Sequence, residues 1–385
     1  MGIDTVAVGM SGGVDSSAAA AILKESGFDL IGFSMLLWDL EGCGGEGNES
    51  GAGKRCSLGD FRDAREVAER LEIPYYVVDF RTEFKNTVIK TFVENYRTGL
   101  TPSPCVLCNS LVKFKGMMPL AEKVHAARVA TGHYARVRRD EESGRYLLLE
   151  ALDDNKDQSY FLFALSQAQL AKAMFPLGEL DKEHVRRIAR KYGLPVAEKS
   201  ESQEICFIPD GDYASFVERH SMDIGAGGHP GMLSSGNIID AAGRILGAHP
   251  GIHHYTVGQR RGLGIANGSR LYVTEIRPED HAVVVGTRAQ LSKRRFRVVR
   301  PNWISIPVLK EPLRVRAKIR SRHQAAPAVI RPAEDGNVEV LFDSAQPAIA
   351  PGQACVFYQN EVVVGGGWIA RGMLNDGSKA SLYLK

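Results

Sequence analysis

Apolar residues follow two different rhythms along this chain, and the change comes near residue 201. In the first half, short apolar runs alternate with stretches of helical spacing. TVAVGM (5–10) has the length and composition of a buried parallel strand, and 16–25 reads as a helix closed by Gly27. LIGFSMLLW (30–38), YYVVDF (75–80) and ARVATGH (127–133) predict further strands, with helical spacing over 61–71, 82–96 and 109–124. This order predicts a doubly wound parallel α/β sheet, whose ligands sit at the carboxyl ends of its strands. After residue 201 glycine becomes frequent and the apolar runs shorten. LYVTEI, HAVVVG, LRVRAKIR, NVEVLF, QACVFY and EVVVGGGWI alternate like antiparallel strands. The expected organisation is an α/β domain over 1–200, a small central β-rich module over 201–278 and a C-terminal antiparallel β-barrel over 279–385.

Length and composition agree with this division. The 385 residues exceed one ordinary domain, and 44% hydrophobic with 24% charged residues marks a globular chain. No apolar run is long enough to cross a bilayer, and MGIDTVAVGM lacks the basic start and apolar core of a signal peptide, so the cytoplasm is the expected location and no membrane contact is expected. Six cysteines in such a chain read as catalytic, metal-binding or inert rather than as a disulfide framework. The net charge of +3 hides a strongly basic stretch from Arg288 to Arg322, in which Glu311 is the only acid. It is either a solvated strand face or the footprint of a polyanion.

The first strand runs directly into SGGVDSS (11–17). A strand, two glycines and a helix start leave backbone N–H groups unpaired and aimed at one point, where the helix dipole adds positive charge. Gly12 and Gly13 permit backbone conformations closed to other residues. Ser11, Ser16 and Ser17 can donate to phosphate oxygens, and Asp15 can cap the helix or help hold Mg²⁺. No G-K-[ST] follows, so this is not a Walker A loop built around the γ-phosphate.

GMSGGVDSS resembles the PP-loop of ATP pyrophosphatases of the adenylating kind, which cleave ATP between its α- and β-phosphates. Five further stretches narrow the resemblance: TGLTPSPCVLCNSLVKF (98–114), ATGHYARV (130–137) with DNKDQSYFLFAL (154–165), KSESQEICFI (199–208), HHYTVGQRRGLGI (253–265) and PGQACVFY (351–358). Together they are similar, in order and over essentially the whole chain, to the tRNA-specific 2-thiouridylase (MnmA) family. That resemblance implies ATP-dependent 2-thiolation of a wobble uridine in tRNA. The base oxygen on carbon 2 would be adenylated and then displaced by sulfur. A pyrimidine carbonyl is a poor electrophile with a poor leaving group; AMP repairs both faults, and a thiolate or persulfide is nucleophilic near neutral pH.

The resemblance also distributes roles. Gly9, Met10, Ser11, Gly12, Gly13, Val14, Asp15 and Ser16 would bind ATP with Mg²⁺; Met35 would read the adenine through its backbone, and Gly132 would approach the nucleotide closely. Cys108 matches the nucleophilic cysteine, placed here at the start of a helix that would lower its pKa. Cys206 matches the cysteine that carries a persulfide delivered by a sulfur donor, a cysteine desulfurase or a sulfur-relay protein. Ser103, Pro104 and Cys105 would meet the target base, which must leave its stack for chemistry. His133, Lys156, Asp157, Gln158, Arg320, Ser321 and Gln353 match tRNA contacts, with Asp157 expected to organise its neighbours rather than bind phosphate.

Cys105 departs from the common family version, which often has aspartate there. Cys105, Cys108 and Cys206 would offer three thiolates around one point, a set suited to a [4Fe–4S] cluster with one open iron. A zinc site, a persulfide/disulfide pair or plain redundancy are the other readings. Cys43 and Cys56 receive no role, and Cys355 is expected in the barrel core. Two different functions compete with thiolation: adenylation of a small molecule, and a tRNA-binding module with a decayed ATP site. The intact PP-loop argues against the second and the paired cysteines against the first.

Overall fold

The structure is a computed structural model describing residues 4–38, 57–200, 205–221, 234–265 and 270–372. Cys43 and Cys56 lie outside those residues. The chain forms two compact units: residues 1–88, 105–211 and 360–363 make the first, and 89–104, 212–359 and 364–385 the second. Among the described residues no helix is long and apolar enough to cross a membrane.

In the first unit β1 (Thr5–Gly9), β2 (Asp29–Leu36), β3 (Tyr75–Asp79), β4 (Arg128–Thr131) and β7 (Ala173–Met174) form one parallel sheet of order β3-β2-β1-β4-β7. β1 is central and its Val6, Ala7 and Val8 are fully buried, which explains its unbroken apolar run. A hairpin of β5 (Arg136–Arg139) and β6 (Tyr146–Leu149) follows β4. The helix α1 (Val14–Glu25) is buried on almost every side. Its four consecutive alanines make that possible. Ala20 and Ala21 pack with Val6, Val8 and Leu30, while Ala18 and Ala19 pack with Tyr134, Leu177 and Val185. Small side chains let one short helix pack closely on the sheet and on the helix Lys182–Lys191 at once.

The order of the sheet reverses beside β1: the chain moves to β2 on one side and later returns to β4 on the other. The carboxyl ends of β1 and β4 therefore flank the switch point where an open α/β sheet takes its ligand. SGGVDSS leaves the first of these ends, and Gly132 and His133 leave the second.

Two helices of the first half carry π-helical turns. One runs over 81–97 with its π segment at Lys85–Ile89; the other runs over 104–123 with its π segment at Cys108–Phe114. The second starts at Pro104, five residues before the expected start at 109. Proline suits a first helical position because its missing N–H has no partner to lose there.

The second unit contains the helix Tyr213–Ser221, which packs on the 81–97 helix through Tyr96–Tyr213 stacking at 4.8 Å and a Phe92–Phe216 edge contact at 5.9 Å. A four-stranded sheet of order β10-β11-β8-β9 follows, from β8 (Gly236–Ile239), β9 (Ile245–His249), β10 (Tyr272–Arg277) and β11 (Ala282–Gly286). Its core holds Ile238, Ile252, Val273, Val283 and Val285. Six antiparallel strands complete the unit: β12 (Ser292–Trp303), β13 (Leu313–Lys318), β14 (Ala326–Pro332), β15 (Val338–Pro347), β16 (Ala354–Gln359) and β17 (Val362–Ile369). They run in the order β12-β15-β14-β13-β16-β17, and β12 pairs with β17 to close a barrel. Closure removes the sheet edges. Cys355 is fully buried in the barrel core, as a small apolar residue would be.

Candidate active site

The loop after β1 is held by its own hydroxyls. Ser16 Oγ accepts from Ser11 N at 3.1 Å and donates to Gly13 O at 3.1 Å, and Ser17 Oγ donates to Gly13 O at 2.9 Å. Gly13 is the N-cap of α1 and makes no side-chain cap. The first N–H groups of α1 are thus left for an anion, which the helix dipole favours. Gly12 has φ +69°, and a Cβ there would lie 2.1 Å from the Asp60 carbonyl oxygen. Gly132 is needed for a different reason: its Cβ would lie 2.6 Å from Ser16 N. The end of β4 therefore abuts the first turn of α1 directly.

Asp15 does not cap the helix. Its Oδ1 accepts from Tyr134 Oη at 2.8 Å and from Lys182 Nζ at 2.7 Å. Neither partner was singled out from sequence; Lys182 reaches Asp15 from 167 residues away. Ser34, beside Met35, donates to the Met10 carbonyl, which fixes the end of β2 against the loop.

Cys105, Cys108 and Cys206 are all free thiols of the first unit. Cys108 is 7% exposed, whereas Cys105 and Cys206 are exposed residues whose thiols nonetheless lie among packed neighbours. The helix dipole does not activate Cys108. The helix begins at Pro104, so Cys108 lies a full turn inside it, and burial pushes its thiol above the usual range. That corrects the expectation of a lowered pKa. Cys105 is raised for the same reason, and Cys206 is pushed up to about 12 by desolvation and then by the nearby charges of Cys108 and Cys105. One cation opposes all three shifts, Lys113.

Lys113 is half-buried, and among the described residues it has no carboxylate partner. It stands five residues after Cys108 within the π segment. Bonds from i to i+5 bring residues five apart onto one face, whereas an α-helix would turn them apart. Sequence reasoning missed this residue; KF in CNSLVKF looks like ordinary helix surface until the π-turn is known. Because the thiols are raised, alkylation of Cys105 and Cys206 by iodoacetamide, followed site by site with mass spectrometry, is expected to accelerate about tenfold per pH unit from pH 7 to beyond pH 9. Levelling near pH 8.5 would contradict it.

His133 Nδ1 lies 2.8 Å from Thr131 Oγ1. Desolvation, with Lys113 assisting, lowers its pKa to about 3, so it is neutral at any working pH. Asp157 organises its neighbours as expected. Its carboxylate accepts from Ala151 N, Ser159 N and Ser159 Oγ. Gln158 is equally committed, its Oε1 accepting from Tyr134 N at 2.9 Å. Lys156 begins this loop and is half-buried.

In the second unit the turn at 99–104 is gripped by the barrel. Gln353 Nε2 donates to Thr101 O at 3.2 Å and Pro102 O at 2.8 Å, and Ala354 N donates to Ser103 Oγ at 3.3 Å. Gln353 thus spends its amide hydrogens on the protein's own turn. Arg320 donates to Pro347 O at 3.1 Å, and Ser321 beside it is exposed. The basic stretch is less unbalanced than its sequence, because β15 supplies acids from outside it: Glu339 pairs with Arg295, and Asp343 with Arg314.

The one grouping of metal-ligand type found among the described residues is Glu218 with His253 and His254. Both imidazole Nε2 atoms lie against Glu218 Oε1, at 3.0 and 3.2 Å. His253 Nδ1 is buried without a partner, whereas a ligating imidazole normally donates its second nitrogen to an acceptor. The arrangement is that of a carboxylate accepting two imidazole N–H bonds.

An α/β domain with an anion cradle at its switch point, paired with thiols in the same unit and followed by a closed barrel, defines a class of thiol-bearing, anion-binding enzymes of modular build. Comparison with known proteins is more specific. Residues 4–210 match the family model of the tRNA methyl transferase HUP domain, 230–287 that of the tRNA methyl transferase PRC-barrel domain, and 293–369 that of the aminomethyltransferase beta-barrel domain. A tRNA-specific 2-thiouridylase MnmA of Solibacter usitatus is 50% identical over 94% of this chain and 98% of its own length. Those of Koribacter versatilis and Geotalea uraniireducens are each 48% identical, over 95% and 94% of this chain and 99% and 94% of theirs. The chain belongs to the tRNA-specific 2-thiouridylase MnmA family.

Proposed function

We propose that this protein thiolates carbon 2 of the wobble uridine of tRNA at the expense of ATP. One chain of neighbours carries the reading. The cradle at Asp15–Ser16 touches Gly132; His133 follows and lies in the field of Lys113, which also acts on Cys105, Cys108 and Cys206. Anion binding and sulfur chemistry thus share one neighbourhood within the first unit.

In this reading the α1 N-terminus and loop residues 9–16 hold the phosphates of ATP, where Mg²⁺, with Asp15 beside it, would offset their charge, the Met35 backbone meets the adenine, and Gly132 keeps β4 close enough to complete the cradle. The uridine O2 attacks the α-phosphorus, the bond to the bridging oxygen breaks, and pyrophosphate leaves with the electron pair. Cys206 carries a persulfide from a cysteine desulfurase or relay protein. Its terminal sulfur attacks carbon 2 and AMP departs with the former carbonyl oxygen. Cys108 then attacks the Cys206 sulfur. The bond to the transferred sulfur breaks, its electrons remain on the base as the thiocarbonyl, and a Cys108–Cys206 disulfide forms for an external thiol to reduce. Lys113 supplies the positive charge that each sulfur anion needs in surroundings that raise every thiol pKa. Ser103, Pro104 and Cys105 receive the flipped base. His133, Lys156, Arg320 and Ser321 face the tRNA, while Asp157, Gln158 and Gln353 shape the surfaces that do so.

A second reading has a specific observation in its favour, the three thiols acting on one another's charge. Their sulfurs do not gather within the 4.8 Å that unites Glu218, His253 and His254, which disfavours a single zinc ion; a [4Fe–4S] cluster, whose irons stand apart, would be held by Cys105, Cys108 and Cys206 and would supply sulfide. Iron and sulfide analysis after anaerobic purification separates the two. The main reading is tested by pyrophosphate release: purified protein is expected to release it from ATP only when tRNA is added. Thiolation at an unchanged rate without ATP would overturn the reading.

A further inference from the structure

The PP-loop is anchored by a residue to which the reading above gives no role. Lys199 Nζ donates to the Gly12 carbonyl at 2.9 Å and pairs with Asp60 at 2.7 Å and Asp63 at 2.5 Å. Its side chain is 29% exposed, and among the described residues it is the only ion-pair partner of either acid. Gly12 and Asp60 are already in backbone contact, so both carboxylates stand beside the anion cradle. Lys199 also opens KSESQEICFI and precedes Cys206 by seven residues.

We infer that Lys199 is a positioning residue with two separable effects on the nucleotide site. By donating to the Gly12 carbonyl it holds that oxygen away from the cradle, which fixes the alignment of a bound polyphosphate for attack. By pairing with Asp60 and Asp63 it cancels two negative charges that would otherwise repel a polyphosphate. The inference deepens the proposed reading and rests on it for the identity of the nucleotide.

The test measures equilibrium binding of a non-hydrolysable ATP analogue with Mg²⁺ to the full-length protein by calorimetry, together with tRNA-dependent pyrophosphate release. Lys199→Met is expected to weaken analogue binding by about tenfold or more and to lower the turnover of pyrophosphate release. Adding Asp60→Asn and Asp63→Asn to Lys199→Met is expected to restore most of the affinity, because the uncancelled charges are gone, but not the turnover, because the Gly12 carbonyl is still unheld. A merely structural lysine would show no such split. Lys199→Arg, which keeps the charge, guards against misfolding and is expected to bind the analogue within about threefold of the parent. The inference fails if Lys199→Met binds and turns over like the parent, or if the triple variant binds no better than Lys199→Met. A parent that binds the analogue but releases no pyrophosphate with tRNA removes only the proposed reaction; a parent that binds no analogue removes both.

Discussion

Cys206→Ser is expected to lose thiolation by on the order of a thousandfold or more while still releasing pyrophosphate from ATP when tRNA is present. A serine oxygen cannot hold a terminal sulfur, so the variant adenylates the base and stops. Cys108→Ser should stop one step later. Transfer to carbon 2 would proceed, but nothing would cleave the bond to Cys206, and the tRNA would remain attached to the protein through a reducible disulfide. Non-reducing electrophoresis detects that adduct directly. Cys105→Ser separates the two chemistries. In the persulfide relay Cys105 contacts only the base and its loss leaves much of the rate, whereas a cluster needs all three thiols. If Cys206→Ser thiolates at the parental rate, the relay and the cluster both fall.

The cysteines themselves are legible in the sequence, but their environment is not. CVLC and EICF stand out as motifs, yet the pKa of each thiol depends on what surrounds it. The helix carrying Cys108 was expected to begin at 109 because TPSP reads as a turn. Pro104 was the available signal for an earlier start, since proline belongs at a first helical position. The consequence is chemical: a thiol expected at a helix N-terminus sits a turn inside, buried and raised. The π-turn that aligns Lys113 with Cys108 leaves no simple pattern in CNSLVKF.

The parallel sheet was easier to read, because a central strand must be apolar on both faces and TVAVGM is. The charge balance of the basic stretch is harder to read for the opposite reason. Arg295 and Arg314 meet Glu339 and Asp343 on β15, another strand of the same barrel wall, at sequence separations no local window covers. The contacts of Lys199 and Lys182 leave no local signal either: each acts on the PP-loop from more than 160 residues away, and only the tertiary fold brings them there.

The two glycines of SGGVDSS look equivalent in sequence, and the structure makes opposite demands of them. Gly12→Ala is expected to cut tRNA-dependent pyrophosphate release by on the order of a hundredfold. Its φ of +69° costs an L-residue about 1–2 kcal/mol. The added Cβ would also meet the Asp60 carbonyl at 2.1 Å, and that oxygen is backbone in the first turn of α2 (Ser57–Arg70), not the end of a side chain that can swing aside. The loop must therefore move, carrying with it the Gly12 carbonyl that Lys199 holds and the N–H groups set to receive phosphate. Gly13 has an extended conformation, φ −102° and ψ 163°, and an added Cβ would have the Ser11 hydroxyl as its nearest neighbour at an ordinary 3.5 Å. Gly13→Ala is accordingly expected to lose less than about tenfold in rate, and to melt at or slightly above the parental temperature because alanine restricts the unfolded chain. Gly12→Ala should melt lower. Equal losses at the two positions would mean that the loop closes on ATP in a shape other than the one it holds here, and that the cradle is formed by the nucleotide rather than waiting for it.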